Sequence, residues 1–210
     1  MKIEIWSDIM CPFCYIGKRR LEEALAGFPQ RDQIEIEWKS FQLDPTIEAQ
    51  PGKDVYSYLA ERKGMTVEQA KQMHVQVVES AKSVGLNYDF DKAVIANSFD
   101  AHRMIQLAKT KGLGDAAEER IFKAYFTEGQ DAGNHETLVK LGEEIGLKAE
   151  DIRQVLESND FALEVNSDIA EAQQIGVRGV PFFVFDRKYA VSGAQPVEVF
   201  TQTLEKAMEG

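Results

Sequence analysis

The sequence predicts an α/β fold in which a large all-helical insertion interrupts a small sheet. Strand-like alternation appears over residues 2–7 and 34–41, with a helix-like stretch between them. Residues 53–174 then carry a continuous helical pattern, and strand character returns after residue 176. We therefore expect a βαβ…ββα domain, residues 1–48 and 175–210, and a helical insertion domain, residues 49–174.

The N-terminal part reads as βαβ. Ile3 and Ile5 alternate with Lys2 and Glu4, which predicts a strand. The following helix is indicated by apolar residues at helical spacing, and the second strand, residues 34–41, is expected to run parallel to the first. These apolar helix residues are Leu21, Ala24, Leu25 and Phe28, before Pro29 ends the run.

The insertion contains about six predicted helices and no convincing strand. Glycines that commonly end helices fall between them. The predicted ranges are 55–62, 67–84, 98–111, 116–126, 136–145 and about 160–174, with a short helical turn near 151–156.

The C-terminal part reads as a hairpin followed by a helix. A strand over residues 180–185 is expected to turn at Asp186-Arg187 and pair with residues 189–191. Its two phenylalanines, Phe182 and Phe183, are expected to point to opposite faces of the sheet as core residues. The last helix presents an apolar stripe of Val197, Phe200, Leu204 and Ala207.

Composition narrows the class of partner. The 210 residues hold 24 Lys and Arg against 35 Asp and Glu, a formal charge of −11. Nucleic acid and anionic membranes are therefore not expected partners, because both need concentrated basic patches. The N-terminus shows no signal-peptide hydrophobic region, so we expect a cytoplasmic protein.

The only two cysteines, Cys11 and Cys14, form a Cys-Pro-Phe-Cys motif at the head of the first helix. A helix N-terminus favours an anion, so Cys11 is expected to be the nucleophilic thiolate and Cys14 the resolving thiol. Pro12 suits the first helical position because it lacks an N–H that would find no helical partner. A zinc site is disfavoured, because the motif supplies half of the usual four ligands and no second pair follows.

Four segments resemble the DsbA-like branch of the thioredoxin superfamily, and within it the FrnE-like group. Related to that group are the kappa-class glutathione transferases and the 2-hydroxychromene-2-carboxylate isomerases. The resemblance covers essentially the whole chain. Its motifs are Trp6 to Gly17 around the two cysteines, Asn97-Ser98-Phe99-Asp100-Ala101-His102-Arg103, Gly176-Val177-Arg178-Gly179-Val180-Pro181-Phe182-Phe183, and Ser192-Gly193-Ala194-Gln195.

The resemblance implies a thioredoxin-like fold and a thiol-disulfide oxidoreductase that works through a mixed disulfide. It implies that Pro181 is cis and that Val180 offers backbone groups to a substrate beside the thiol. Phe13 is the aromatic expected to be exposed to substrate. His102 is a candidate to tune the thiolate, with a locally hydrogen-bonded helix histidine as the open alternative; His74 and His135 are expected on the surface.

Two departures from the family pattern matter. The superfamily often buries an acid before the motif, where this chain has Ile5; Asp8 and Glu4 lie nearby and are expected to be solvated. The strongest DsbA oxidants carry a histidine between the cysteines. Phe13 at that place implies a less oxidising couple.

Two other functions stay open. One is a glutathione-dependent isomerase or transferase, although those relatives typically carry serine at the position of Cys11. The other is a non-catalytic module that binds a client. The expected partners are protein or small-molecule thiols and disulfides, with glutathione as a candidate redox partner, no bound cofactor and no metal. Homodimerisation and the direction of electron flow stay open.

Overall fold

The structure is a computed structural model that describes residues 1–48 and 53–209. Its elements follow the predicted order. They are β1 Lys2–Ser7, α1 Pro12–Ala26, β2 Glu35–Ser40, α2 Val55–Lys63, α3 Val67–Lys82, α4 Phe99–Thr110, α5 Gly114–Phe126, α6 His135–Glu144, α7 Ala149–Glu157, α8 Ala162–Gln174, β3 Phe182–Phe185, β4 Tyr189–Ser192 and α9 Val197–Glu209.

The sheet has four strands in the order β2-β1-β3-β4. β1 runs parallel to β2 and antiparallel to β3, which pairs antiparallel with β4. Asp186 and Arg187 are the central residues of the β3–β4 turn, with left-handed φ values of 48° and 58°, and the Lys188 N–H closes the turn by donating to the Phe185 carbonyl at 3.0 Å. The predicted α/β thioredoxin-like fold, with a helical insertion between β2 and β3, is confirmed.

Apolar residues cover both faces of the sheet. Ile3, Ile5 and Phe183 point to the face that packs against α1 and α9. On the other face, Trp6 and Val184 pack with Ala172 of α8. Strand side chains alternate between faces, so the odd-numbered positions of β1 look toward α1 and the even-numbered ones toward α8.

The chain forms two compact units, Met1–Leu43 with Leu163–Gly210, and Asp44–Ala162. In this division α8 belongs to the sheet unit from Leu163 onward. The Trp6 indole N–H donates to the Asp168 carbonyl (2.9 Å), and the Ser40 N–H donates to the Asp168 carboxylate (3.0 Å). Both hydrogen bonds hold α8 against the sheet.

The helical unit contains α2 to α7. The predicted short turn near residues 151–156 is a nine-residue helix, α7, whose residues Ile152, Val155 and Leu156 are buried. Arg103 of α4 donates to main-chain carbonyls at and beyond the end of α7, including Ser158 (2.6 Å). A cation at a helix C-terminus satisfies carbonyls that lack helical partners, so Arg103 stabilises α7.

His135 is exposed as expected, whereas His74 is only partly exposed. His74 is half-buried, with its ring edge-on to Tyr56 and Phe90 at centroid distances of 4.9 and 4.4 Å. Its Nδ1 lies 2.8 Å from the Ala70 carbonyl, and burial lowers the pKa of His74. Across residues 1–48 and 53–209, no helix has the length and apolar character needed to cross a membrane.

Candidate dithiol active site

Cys11 lies at the N-terminus of α1, directly after a tight turn that follows β1. The Cys11 N–H donates to the Asp8 carbonyl at 2.9 Å, which closes that turn. Cys11 is the N-cap residue in extended conformation, Pro12 begins the helix, and no side chain caps it. The first amides of α1 and the helix dipole therefore favour negative charge at this sulfur.

Both thiols are free and almost fully buried, Cys11 at 4% and Cys14 at 1% exposure. The Cys11 thiol donates to the Val180 carbonyl, with Sγ and O 3.3 Å apart. Burial raises the pKa of Cys14 well above its usual range, and the hydrogen bond and charge of Cys11 raise it further. Cys14 is therefore held as a neutral thiol.

The loop before β3 brings Pro181 to the dithiol. The Val180–Pro181 peptide bond is cis, as the resemblance implies. The Pro181 carbonyl accepts from the Gly193 N–H at 2.8 Å, which holds the loop to the end of β4. The three residues Cys11, Val180 and Pro181 thus lie together within the sheet unit.

Gly17 allows α1 to approach this loop. A Cβ at Gly17 would lie 3.1 Å from Pro181 Cγ and 3.0 Å from Phe183 Cζ, closer than side chains normally pack. The absence of a side chain at residue 17 therefore sets how near the helix that carries both thiols comes to Pro181.

The phenylalanines behave as predicted. Phe13, between the cysteines, is 44% exposed. Phe183 is fully buried on the α1 side of the sheet, whereas Phe182 packs on the α8 side. Of these three phenylalanines, Phe13 is therefore the most exposed to solvent.

The prediction that Asp8 and Glu4 are solvated is wrong, since each is at most 4% exposed. The Asp8 carboxylate accepts from the Leu43 N–H (2.7 Å) and the Met10 N–H (3.2 Å), which ties the segment after β2 to the turn before Cys11. Glu4 lies on the α8 face of the sheet and pairs with Arg187. Leu43 and Arg187 are distant in sequence from these acids, so the local pattern gave no sign of their burial.

Two groups that the sequence analysis did not connect with Cys14 affect its ionisation. The Asp8 main-chain N–H and the Ser7 hydroxyl both act to lower the pKa of Cys14. The available signal was the period-two alternation Ile3, Ile5, Ser7, which predicts that Ser7 shares the face of β1 that packs against α1. Ile5 itself is buried in the apolar core, at the place where relatives often carry an acid.

His102 lies in the first turns of α4, in the helical unit, and is fully buried. Its main-chain N–H donates to the Ser98 carbonyl at 3.0 Å, and the Asn97 side chain accepts from the Phe99 N–H just before the helix. The neighbouring Asp100 is engaged with Arg103 and His135. Among the described residues, no group of three or more His, Cys, Asp or Glu side chains is arranged to hold a metal ion.

The fold and the site define a thioredoxin-like protein with a CxxC dithiol, a cis-proline loop and a helical insertion. The DSBA-like thioredoxin domain model matches residues 2–205. The chain therefore belongs to the DSBA-like thioredoxin domain family.

Three known proteins illustrate the range of this likeness. The crystal structure of the probable DsbA oxidoreductase SCO1869 of Streptomyces coelicolor is 43% identical with a TM-score of 0.94, covering 100% of this chain and 90% of that one. The uncharacterized protein YwbO of Bacillus subtilis is 27% identical over 96% of this chain and 94% of its own. The cytosolic disulfide reductase DsbM of Pseudomonas aeruginosa with GSH is 18% identical with a TM-score of 0.70, covering 100% of both chains, and shows the fold alone.

Proposed function

We propose that this protein is a thiol-disulfide oxidoreductase in which Cys11 attacks and Cys14 resolves. The observation that carries the proposal is the contact between the Cys11 sulfur, at the N-terminus of α1, and the Val180 carbonyl next to cis Pro181. A nucleophilic thiol at a helix N-terminus, with a second thiol three residues further on, is an arrangement suited to disulfide exchange.

In the reductive direction, the Cys11 thiolate attacks a substrate disulfide, forms a mixed disulfide and releases one substrate thiolate. Cys14 then attacks the Cys11 sulfur, which forms the Cys11–Cys14 disulfide and releases the second substrate thiol. Each turn of this cycle moves two electrons to the substrate. The oxidative direction runs the same steps backwards.

The substrate is held, in this proposal, by the backbone of Val180 and by cis Pro181 beside the thiol, with Phe13 as the exposed apolar contact. An extended segment pairing with exposed backbone groups gains affinity without demanding a particular sequence. We propose protein and small-molecule disulfides in the cytoplasm as substrates and glutathione as the redox partner. His102 is proposed as a residue that tunes the dithiol.

The test compares Cys11→Ser with Cys14→Ser in the reduction of insulin or glutathione disulfide. Cys11→Ser should lose turnover entirely. Cys14→Ser should still attack and should accumulate a mixed disulfide visible by mass spectrometry. Parent-like turnover by Cys11→Ser would overturn the proposal.

The same pair of variants separates the proposal from a glutathione-dependent isomerase or transferase. Such an enzyme activates the thiol of glutathione and needs no protein disulfide, so its turnover would survive the loss of Cys14. A non-catalytic module would instead leave the dithiol unchanged in glutathione buffers of any ratio.

A further inference from the structure

Ser7, the last residue of β1, is fully buried and directed toward the dithiol helix. Ile3 and Ile5 pack in the core with Leu21 and Leu25 of α1. Side chains two residues apart on a strand share a face, so Ser7 continues the row formed by Ile3 and Ile5. Gly17 of α1 lies against Phe183, which pairs with Ile5 in the sheet. Because α1 runs back along β1, Ser7 is level with the turn before Gly17, where the buried side chain of Cys14 lies.

The Ser7 hydroxyl has no conventional hydrogen-bond partner within residues 1–48 and 53–209. A buried hydroxyl is normally paired, so its place here needs a reason. Burial and Cys11 both raise the pKa of Cys14, whereas the Asp8 N–H and the Ser7 hydroxyl act in the opposite direction.

We infer that the Ser7 hydroxyl, together with the Asp8 N–H, stabilises the charge that develops on Cys14 when Cys14 resolves the mixed disulfide. This inference rests on the proposed function. In the resting reduced protein the hydroxyl has little to bond, because a neutral thiol is a weak acceptor. When the sulfur becomes an anion, the same hydroxyl becomes a charge-assisted donor.

The resolving step balances without any further reactant. The bond between the Cys11 sulfur and the substrate sulfur breaks, and the bond between Cys11 and Cys14 forms. The electron pair of the broken bond leaves with the substrate sulfur, which takes the proton that Cys14 gave up. The substrate is reduced to a thiol and the dithiol is oxidised.

The expected effect follows from the thiolate fraction. Losing one donor to a charged sulfur raises the pKa of Cys14 by about one unit, which lowers its thiolate fraction about tenfold. The more basic thiolate is about threefold more nucleophilic, because nucleophilicity follows basicity with a slope of about 0.4–0.5. Resolution should therefore slow about threefold at neutral pH.

The test titrates Cys14 in a Cys11→Ser background by the ultraviolet absorbance of the thiolate. Adding Ser7→Ala should raise the pKa of Cys14 by about one unit, and Ser7→Thr, which keeps the hydroxyl, should leave it near the starting value. Ser40→Ala is the matched control. Ser40 is also buried and lies opposite Ser7 in the register of β1 and β2, and its loss should not move the titration.

Equal pKa values for Cys14 with and without Ser7→Ala, or an equal shift from Ser40→Ala, would overturn the inference. Should Ser7→Ala not fold, the isosteric pair Ser7→Thr and Ser7→Val makes the same comparison. The titration of Cys14 can be measured whether or not the protein catalyses disulfide exchange. A parent protein without disulfide exchange would overturn the proposed function, whereas an unmoved titration would overturn the role of Ser7.

Discussion

Gly17 and Pro181 lie so close that a single methyl group at residue 17 would sit 3.1 Å from Pro181 Cγ. At the point where α1 contacts the cis-proline loop, the helix therefore presents main-chain atoms and no side chain. A larger residue here must move either the helix or the loop, and with it the spacing between Cys11 and Val180.

We expect Gly17→Val to destabilise the protein by about 1–3 kcal/mol through overpacking and to slow disulfide exchange. Urea unfolding and a glutathione disulfide assay measure the two effects. Gly27→Val is the matched control, because Gly27 ends the same helix with nothing within 4 Å of its Cβ position. A Gly17→Val protein as active and stable as Gly27→Val would contradict the packing argument.

The release of product from the mixed disulfide should accelerate with pH. Burial, the largest cause, raises the pKa of Cys14 well above its usual range, so Cys14 is protonated at neutral pH and must lose its proton to attack. The thiolate fraction then rises about tenfold per pH unit, with no plateau below the raised pKa. Single-turnover release of substrate thiol, followed from pH 6 upward by stopped flow, checks this. A rate that levels off near neutral pH would show that Cys14 ionises easily.

Phe13→His should make the dithiol more oxidising. An imidazole between the cysteines adds a donor for the Cys11 thiolate and stabilises the reduced form. A tenfold change in the equilibrium with glutathione corresponds to about 30 mV, and we expect a rise of at least about that size. Redox titration against glutathione measures it. Phe13→Leu serves as control, since it keeps an exposed apolar side chain without adding a donor.

The stability of the protein should fall as the pH drops below 6.5, in part because of His74. Burial lowers the pKa of His74 beneath its ordinary value of 6.5, so the unfolded chain takes up this proton more readily than the folded one. The contribution of neutral His74 to the free energy of unfolding is therefore fully present above pH 6.5 and is lost as the pH falls below that value. The measurement is the free energy of unfolding in urea at a series of pH values. Below pH 6.5 it should fall less steeply for His74→Gln than for the parent, and above about pH 7.5 the two curves should be parallel. Identical slopes below pH 6.5 would contradict the assignment.

Arg187→Met should destabilise the sheet unit by about 1–3 kcal/mol. Glu4 is only 5% exposed in its side chain, so losing Arg187 leaves a buried carboxylate with Lys39 at 3.9 Å as its remaining cationic partner in the described structure. The loss of stability should be smaller than for a fully buried ion pair, because the Arg187 guanidinium is half-exposed and Lys39 still lies near Glu4. A double-mutant cycle with Glu4→Gln in urea isolates the pair. A coupling energy near zero would mean that Arg187→Met destabilises the protein through the β3–β4 turn and not through the ion pair with Glu4.

Much of the fold was accessible from sequence because its signals are local. Alternation marked β1 and β2, and helical spacing marked the insertion to within a few residues. The exception, α7, was predicted as a short turn, because its stability depends on three buried residues and on Arg103, which comes from a helix about fifty residues away.

The site was predictable in its covalent chemistry and less so in its surroundings. The spacing of Cys11 and Cys14 pointed to a dithiol, and the resemblance led to the cis bond at Pro181. The face of β1 on which Ser7 lies follows from local alternation, whereas the burial of Asp8 depends on contacts that a local pattern does not encode. The Asp8 carboxylate, for example, bonds the N–H of Leu43, 35 residues away.

The contact between Cys11 and Val180 joins residues 169 positions apart, and the sheet unit is built from both ends of the chain. During synthesis the thiols leave the ribosome long before β3, the strand that completes the core against β1. The compact unit Asp44–Ala162 emerges in between and can fold first, since domains generally fold as units during translation. In a nascent chain both thiols therefore stay accessible until the Val180 loop and β3 have been synthesised.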